Sequence, residues 1–395
     1  MITISRMAAA VQPSATLAAG AKARQLRSQG IEVFDFSLGE PDFLTPSHIR
    51  EAAISAMHSG ATHYTPADGT PELRAAVVRY YERHYGMKVD VSQVLISNGA
   101  KHSIHNALAA TVGPGDEVLI PTPYWVSYSD LVSMTGASYK LLPTTLASGF
   151  KLSAGQLRQA ITPRSKLLML NSPSNPTGAV YSRAELEALA EVVLDSPLAV
   201  LSDEIYEKLV YGSAQAHCFA TLRPGLAERT LTISGVSKSY AMTGWRIGWA
   251  VGPTPVIKAM ANIQSQQTSC PCSVSQAAAM AALDGPQECV EMMRREFEAR
   301  RDLVYARLQR LPGVQSFLPD GAFYAFFDVS AHFGRTLGGK QVNDSLSFCL
   351  AALESVHVNL VPGVAFGAEG FVRMSYATSR EQLEGGLHRL EQFLG

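Results

Sequence analysis

The sequence predicts an α/β fold, with a large domain around a mostly parallel seven-stranded sheet and a smaller α+β domain beside it. Seven short apolar runs alternate with helix-like stretches from about residue 94 onward. After "LDGP" at 283–286 the texture changes to one long charged helix followed by shorter elements. At 395 residues the chain exceeds the size at which one core usually stops growing, and 47% hydrophobic against 17% charged residues supplies material for two.

The first 45 residues read as neither a complete domain nor a linker and are expected to pack against the C-terminal part. The runs "QVLIS", "DEVLIP", "YKLLP", "KLLML", "LAVLS", "TLTIS" and "GWAVG" have no wet side, as strands of a parallel sheet covered on both faces have none. "KHSIHNALAATV", "SRAELEALAEVVL" and "PVIKAMANIQSQ" between them are spaced as helices. "ECVEMMRREFEARRDLVYARLQRL" is the long helix, and "GAFYAFFDV", "VHVNLVPG" and "FVRMSYA" follow it as shorter elements. The expected division is a large domain over 46–283 and a small domain made of 1–45 with 284–395.

The net charge of −1 gives no electrostatic reason to expect a nucleic-acid or membrane-surface partner, so any anion must be held locally. The five scattered cysteines, Cys218, Cys270, Cys272, Cys289 and Cys349, argue against a disulfide framework and for a reducing compartment. The N-terminus lacks a basic segment followed by an apolar run, and no stretch approaches the roughly 18 apolar residues of a membrane span. A soluble cytoplasmic protein is expected.

In open parallel sheets ligands bind at the carboxyl ends of the strands. There this chain places Asn98, Gly99, Ala100 and Lys101, then Asn171 and Asn175, then Asp203, Glu204 and Tyr206, then Lys238 with Arg246 eight residues on. Each has an ordinary reading: a glycine for turn geometry, a carboxylate as a helix N-cap. Together they suit a phosphorylated, aldehyde-bearing, nitrogen-containing cofactor. A lysine forms a Schiff base, an arginine and helix-terminal amides hold a phosphate, and a carboxylate pairs with a pyridinium nitrogen. That is pyridoxal 5'-phosphate. Neither GxGxxG nor GxxxxGK[ST] occurs, and His102 with His105 is a helix-face pair without a third ligand, so no metal site is expected.

"SGVSKSYAMTGWRIG", "SDEIY", "NSPSNPTG", "PTPYWVSY", "SLGEPDFLTP" and "YTPADGTPELR" resemble the class I aminotransferases of fold type I, from about residue 5 to the C-terminus. The resemblance is greatest to the bacterial aspartate aminotransferases of the aspartate/prephenate subgroup. It implies a fold-type I, pyridoxal-phosphate-dependent transferase acting by a ping-pong cycle on L-aspartate and 2-oxoglutarate.

By the same resemblance, Lys238 bears the cofactor and moves the substrate Cα proton. Asp203 keeps the pyridine nitrogen protonated. Tyr206 and Asn175 bond the ring's 3-oxygen, and Trp125 stacks on the ring. Gly99, Ala100 and Lys101 offer backbone donors to the phosphate, and Arg246 adds a bidentate contact. Ser237 is a further phosphate ligand, although the family's hydroxyl three residues before the lysine is here Gly235. Tyr64 reaches the phosphate of a neighbouring subunit, which implies a homodimer with sites at the interface.

For the substrate, the resemblance assigns the α-carboxylate to Arg373 and Gly39, with Trp125 and Asn175 also in contact, and the side-chain carboxylate to Lys101 and Thr16. Gly39 also has a reading as a plain turn glycine. Prephenate-using members carry a basic residue where this chain has Gln12 or Glu32, which points away from prephenate. Broader, aromatic or prephenate specificity stays as the alternative.

Overall fold

The run Ser165–Asn171 sends Leu167 and Met169 to one apolar layer and Leu168 and Leu170 to another. Side chains alternate along a strand, so burial on both faces demands an unbroken apolar run. The structure, a computed structural model, describes residues 2–11 and 15–395, apart from the side chains of residues 6, 10 and 15–18.

After a short strand β1 (Phe34–Asp35), seven strands build the main sheet: β2 (Val94–Ser97), β3 (Glu117–Thr122), β4 (Ser138–Pro143), β5 (Ser165–Asn171), β6 (Ala199–Asp203), β7 (Thr230–Gly235) and β8 (Gly248–Val251). Their order is β2-β8-β7-β6-β5-β3-β4. All seven apolar runs become strands. The chain from β3 to β7 pairs in parallel, while β8 runs antiparallel to both neighbours.

That reversal has a local cause. Gly235 at the end of β7 pairs directly with Gly248 at the start of β8, so the connection is a short loop and not the helical crossover a parallel partner needs. The loop, 236–247, contains Lys238 and Arg246, and its position beyond the carboxyl end of β7 puts both at the ligand-binding edge of the sheet.

Helices Ala100–Thr111 and Thr254–Gln267 cover one face, and Ala154–Ala160 and Arg183–Leu194 the other. Ser182 opens Arg183–Leu194 with a capping box closed by Glu185. Helices Ser47–His58, Pro71–Tyr85 and Ser273–Asp284 share a core with Val94, Ile96, Trp249 and Val251. That core shields the edge strand β2.

The C-terminal elements gather round the long helix Glu288–Leu308. They are β9 (Gln315–Ser316), β10 (Tyr324–Asp328), the hairpin β11 (Arg335–Leu337) with β12 (Lys340–Val342), β13 (Val358–Asn359), β14 (Val361–Pro362), β15 (Phe371–Ser375) and helices Ser345–Val356 and Arg380–Leu394. A four-stranded antiparallel sheet runs β14-β15-β10-β9. The N-terminal segment joins this part: β1 pairs in parallel with β13, and Phe34 and Phe36 enter its core beside Phe297, Tyr324 and Met374.

Candidate active site

At the carboxyl ends of β2, β5, β6 and β7 lies a cleft of about 320 Å³. Gly39, Ala100, Lys101, Trp125, Asn175, Asp203, Tyr206, Ser237, Lys238, Arg246 and Arg373 all line it, residues separated by more than 300 positions in the chain.

Lys238 follows β7 and points its amine at the segment before helix Ser47–His58, where Nζ donates to the Gly39 carbonyl at 2.6 Å. Burial pushes the amine down to about 8, with Glu40 opposing and Arg246 and Arg373 adding to the shift. A partly neutral amine near pH 8 is a nucleophile and a base. Gly39 has no left-handed φ; a Cβ there would stand 2.5 Å from the Tyr324 hydroxyl. The turn-glycine reading is therefore corrected: close packing excludes the side chain.

Asp203 ends β6 and is buried. Its carboxylate accepts from the Tyr128 hydroxyl at 2.6 Å and the Ile205 N–H at 3.3 Å. Burial nevertheless pushes the carboxyl up to about 6, and the two hydrogen bonds oppose that shift. Next to it, Asn171 donates to the Asp203 carbonyl at 2.9 Å and accepts from the Asn175 N–H at 2.8 Å, which fixes the loop after β5.

Arg373, in the centre of β15, is buried and donates to Asn175 Oδ1 at 3.0 Å and to the Ser37 carbonyl at 2.6 Å. Its guanidinium lies 4.5 Å from the Tyr324 ring centroid, and its Nε has no protein partner. A buried cation that lines a cleft suits an anionic ligand.

Helix Ala100–Thr111 begins at the cleft after Gly99, whose φ of 86° gives the tight entry from β2. Gly99 itself does not line the cleft but backs onto Arg246. The first N–H groups of a helix have no intrahelical acceptor, so those of Ala100 and Lys101 complement an anion. Arg246 reaches across from a left-handed backbone with φ 55°, its Nη1 bonded to the Thr243 carbonyl at 2.9 Å. Lys101 places its amine 4.9 Å from the Trp125 ring centroid, and burial and Arg246 lower its pKa.

Besides Gly99, Tyr64 is not among the residues that line this cleft. It is 91% exposed. Thr16 lies in helix Ala15–Ser28, but its side chain is outside the described residues, as is the whole of Gln12. His102 and His105 both bond Gln267, at 3.3 and 3.0 Å. Glu40, Tyr128 and Tyr324 belong to the site and escaped the sequence reading. Tyr128 sits three residues after Trp125, one helical turn on, and that spacing was a usable signal; nothing local marks Tyr324.

A family model described as aminotransferase class I and II matches residues 31–390. The chain belongs to this family. Members depend on pyridoxal phosphate, and the residues present fit it: a buried carboxylate that a protonated ring nitrogen would stabilise, a lysine with a lowered pKa, and a helix N-terminus beside an arginine. The chain is 47% identical over 395 residues to an aspartate/prephenate aminotransferase of Cereibacter sphaeroides, covering 100% of this chain and 99% of that one. It is 45% identical to an aspartate aminotransferase of Geobacillus stearothermophilus, covering 99% and 98%. The crystal structure of the aspartate aminotransferase from Rhizobium meliloti matches with a TM-score of 0.96 at 44% identity, over 100% of this chain and 99% of that one. The Thermus thermophilus aspartate aminotransferase with maleate matches at 0.94 and 41% identity over 100% of both chains. The fold expected from the resemblance is thus the fold of this aminotransferase.

Proposed function

We propose that this aminotransferase moves the amino group of L-aspartate to 2-oxoglutarate, giving oxaloacetate and L-glutamate by a ping-pong cycle. The observation that carries the reading is that Lys238, Asp203 and Arg373 line one cleft. When bound, pyridoxal phosphate supplies an electrophilic carbonyl and a protonated ring that accepts the electron pair released at substrate Cα. Lys238 holds the cofactor through its amine and, once free, moves the proton at Cα. Asp203, held by Tyr128, keeps the proton on the ring nitrogen, while Tyr206 and Asn175 bond the ring oxygen and Trp125 covers the ring and excludes water. Ala100, Lys101, Ser237 and Arg246 would hold the phosphate; Gly99, expected as a further donor, gives its N–H to the Ser97 carbonyl and instead shapes the turn that presents the two amides.

Arg373 and the Gly39 backbone take the α-carboxylate, with Trp125 and Asn175 beside it, and Lys101 with Thr16 takes the side-chain carboxylate. A neighbour solved with maleate, itself a dicarboxylate, supports that assignment. In this reading residues 46–283 hold the cofactor, and 1–45 with 284–395 bring Gly39 and Arg373 to the substrate. Tyr64, exposed here, completes the site of a second copy in a homodimer. Five free cysteines support work in the reducing cytoplasm, and among the described residues no helix is long and apolar enough to cross a membrane.

Purified holoenzyme supplied with L-aspartate and 2-oxoglutarate should form oxaloacetate, and Lys238→Ala should not. A relative named for prephenate as well as aspartate supports the broader reading. Against it, Glu32 is paired with Arg389. Higher kcat/KM for prephenate or an aromatic donor than for the aspartate pair would establish the alternative.

A further inference from the structure

Tyr324 is fully buried on β10, far in sequence from the residues assigned to the cofactor. Its hydroxyl lies 2.8 Å from that of Tyr206. Its ring packs under the Arg373 guanidinium at 4.5 Å, and its oxygen occupies the space that a Cβ on Gly39 would need. Tyr206, Arg373 and Gly39 thus hold the ring of Tyr324 in place.

We infer that Tyr324 is a positioning residue: it donates its proton to Tyr206, so that Tyr206 directs its own proton to the cofactor's 3-oxygen. A phenol has one proton. Where two phenols share a hydrogen bond and one of them also serves a ligand oxygen, the other must be the donor within the pair. The inference rests on Tyr206 serving that oxygen, as proposed above.

Burial raises both hydroxyls and Arg373 offsets part of the rise at each, so both phenols stay protonated and the pair shares one neutral hydrogen bond.

Accepting a hydrogen bond polarises the Tyr206 O–H and strengthens its donation. Withdrawing electron density from the ring oxygen lowers the pKa at which the lysine-bound chromophore loses its proton. Tyr324→Phe keeps the ring beneath Arg373 and removes only the hydroxyl.

The test is a pH titration of the visible absorption of the holoenzyme, with cofactor affinity of the apoprotein measured alongside. Tyr324→Phe should raise the spectral pKa by roughly half to one unit, the worth of a neutral hydrogen bond. The KM for L-aspartate should rise far less than in Arg373→Lys, because the ring beneath Arg373 is kept. Tyr206→Phe should raise the spectral pKa further, and in that background Tyr324→Phe should add nothing. An unmoved titration in Tyr324→Phe, or the same shift in the presence and absence of the Tyr206 hydroxyl, overturns the inference. An unmoved titration in Tyr206→Phe instead overturns the assignment of Tyr206.

Discussion

Gly99 and Arg246 occupy adjoining space: a Cβ on Gly99, at φ 86°, would stand 2.5 Å from Arg246 Nη2. The turn that opens the helix and the arginine that faces its N-terminus are therefore a single packed unit.

Gly99→Ala should strain the turn by about 1–2 kcal/mol and push Arg246 aside. Cofactor affinity, measured by adding pyridoxal phosphate to the apoprotein, should fall at least roughly tenfold, the worth of one charged contact. Unchanged affinity would mean that the phosphate lies elsewhere.

Lys238 in the apoprotein should acquire amine reactivity with a midpoint near pH 8, well below an ordinary lysine. Competitive acylation followed by peptide mass spectrometry reads this site by site. A midpoint at the ordinary value would remove the basis for a neutral amine in the cleft.

Asp203→Asn should separate stability from catalysis. With the carboxyl raised to about 6 in the fold and near 3.9 in the unfolded chain, the folded state binds more protons between these values. The contribution of Asp203 is therefore fully present below about pH 4 and is lost as pH rises through 6. The variant apoprotein should gain on wild type by roughly 2–3 kcal/mol between pH 4 and 7 in urea unfolding. Its turnover should fall by roughly two orders of magnitude or more, since the ring nitrogen loses its charged partner. Full activity in the variant would rule out that role.

Arg373→Lys should raise the KM for L-aspartate by roughly 10- to 100-fold, because a point charge replaces a fork whose other arms hold Asn175 and Ser37. Lys101→Ala should raise it for dicarboxylic substrates and leave a monocarboxylic donor such as L-alanine little changed. Equal losses for both donors would mean that Lys101 does not read the side-chain carboxylate.

Much of this was legible in the sequence, because six strands of the main sheet are buried on both faces and must read as apolar runs, while the edge strand β4, expected to have no wet side, is largely exposed. The chemistry at the strand ends was legible for the same reason: Asp203 and Lys238 are polar groups set directly against apolar runs. Local sequence carried no sign that β8 reverses direction, since an apolar run reads alike in either sense; the pairing of Gly235 with Gly248 decides it.

The reason Gly39 must be glycine, the clamp of Tyr128 on Asp203 and the meeting of Tyr206 with Tyr324 are tertiary facts. Tyr206 and Tyr324 are 118 positions apart, and β10 carries Tyr324 to Tyr206 only when the C-terminal sheet packs against the end of the main one. By itself the sequence determined the strands, the helices and the kinds of chemical group at their ends. Only the packed structure decided which of those groups touch, because contact between distant residues depends on how whole layers meet.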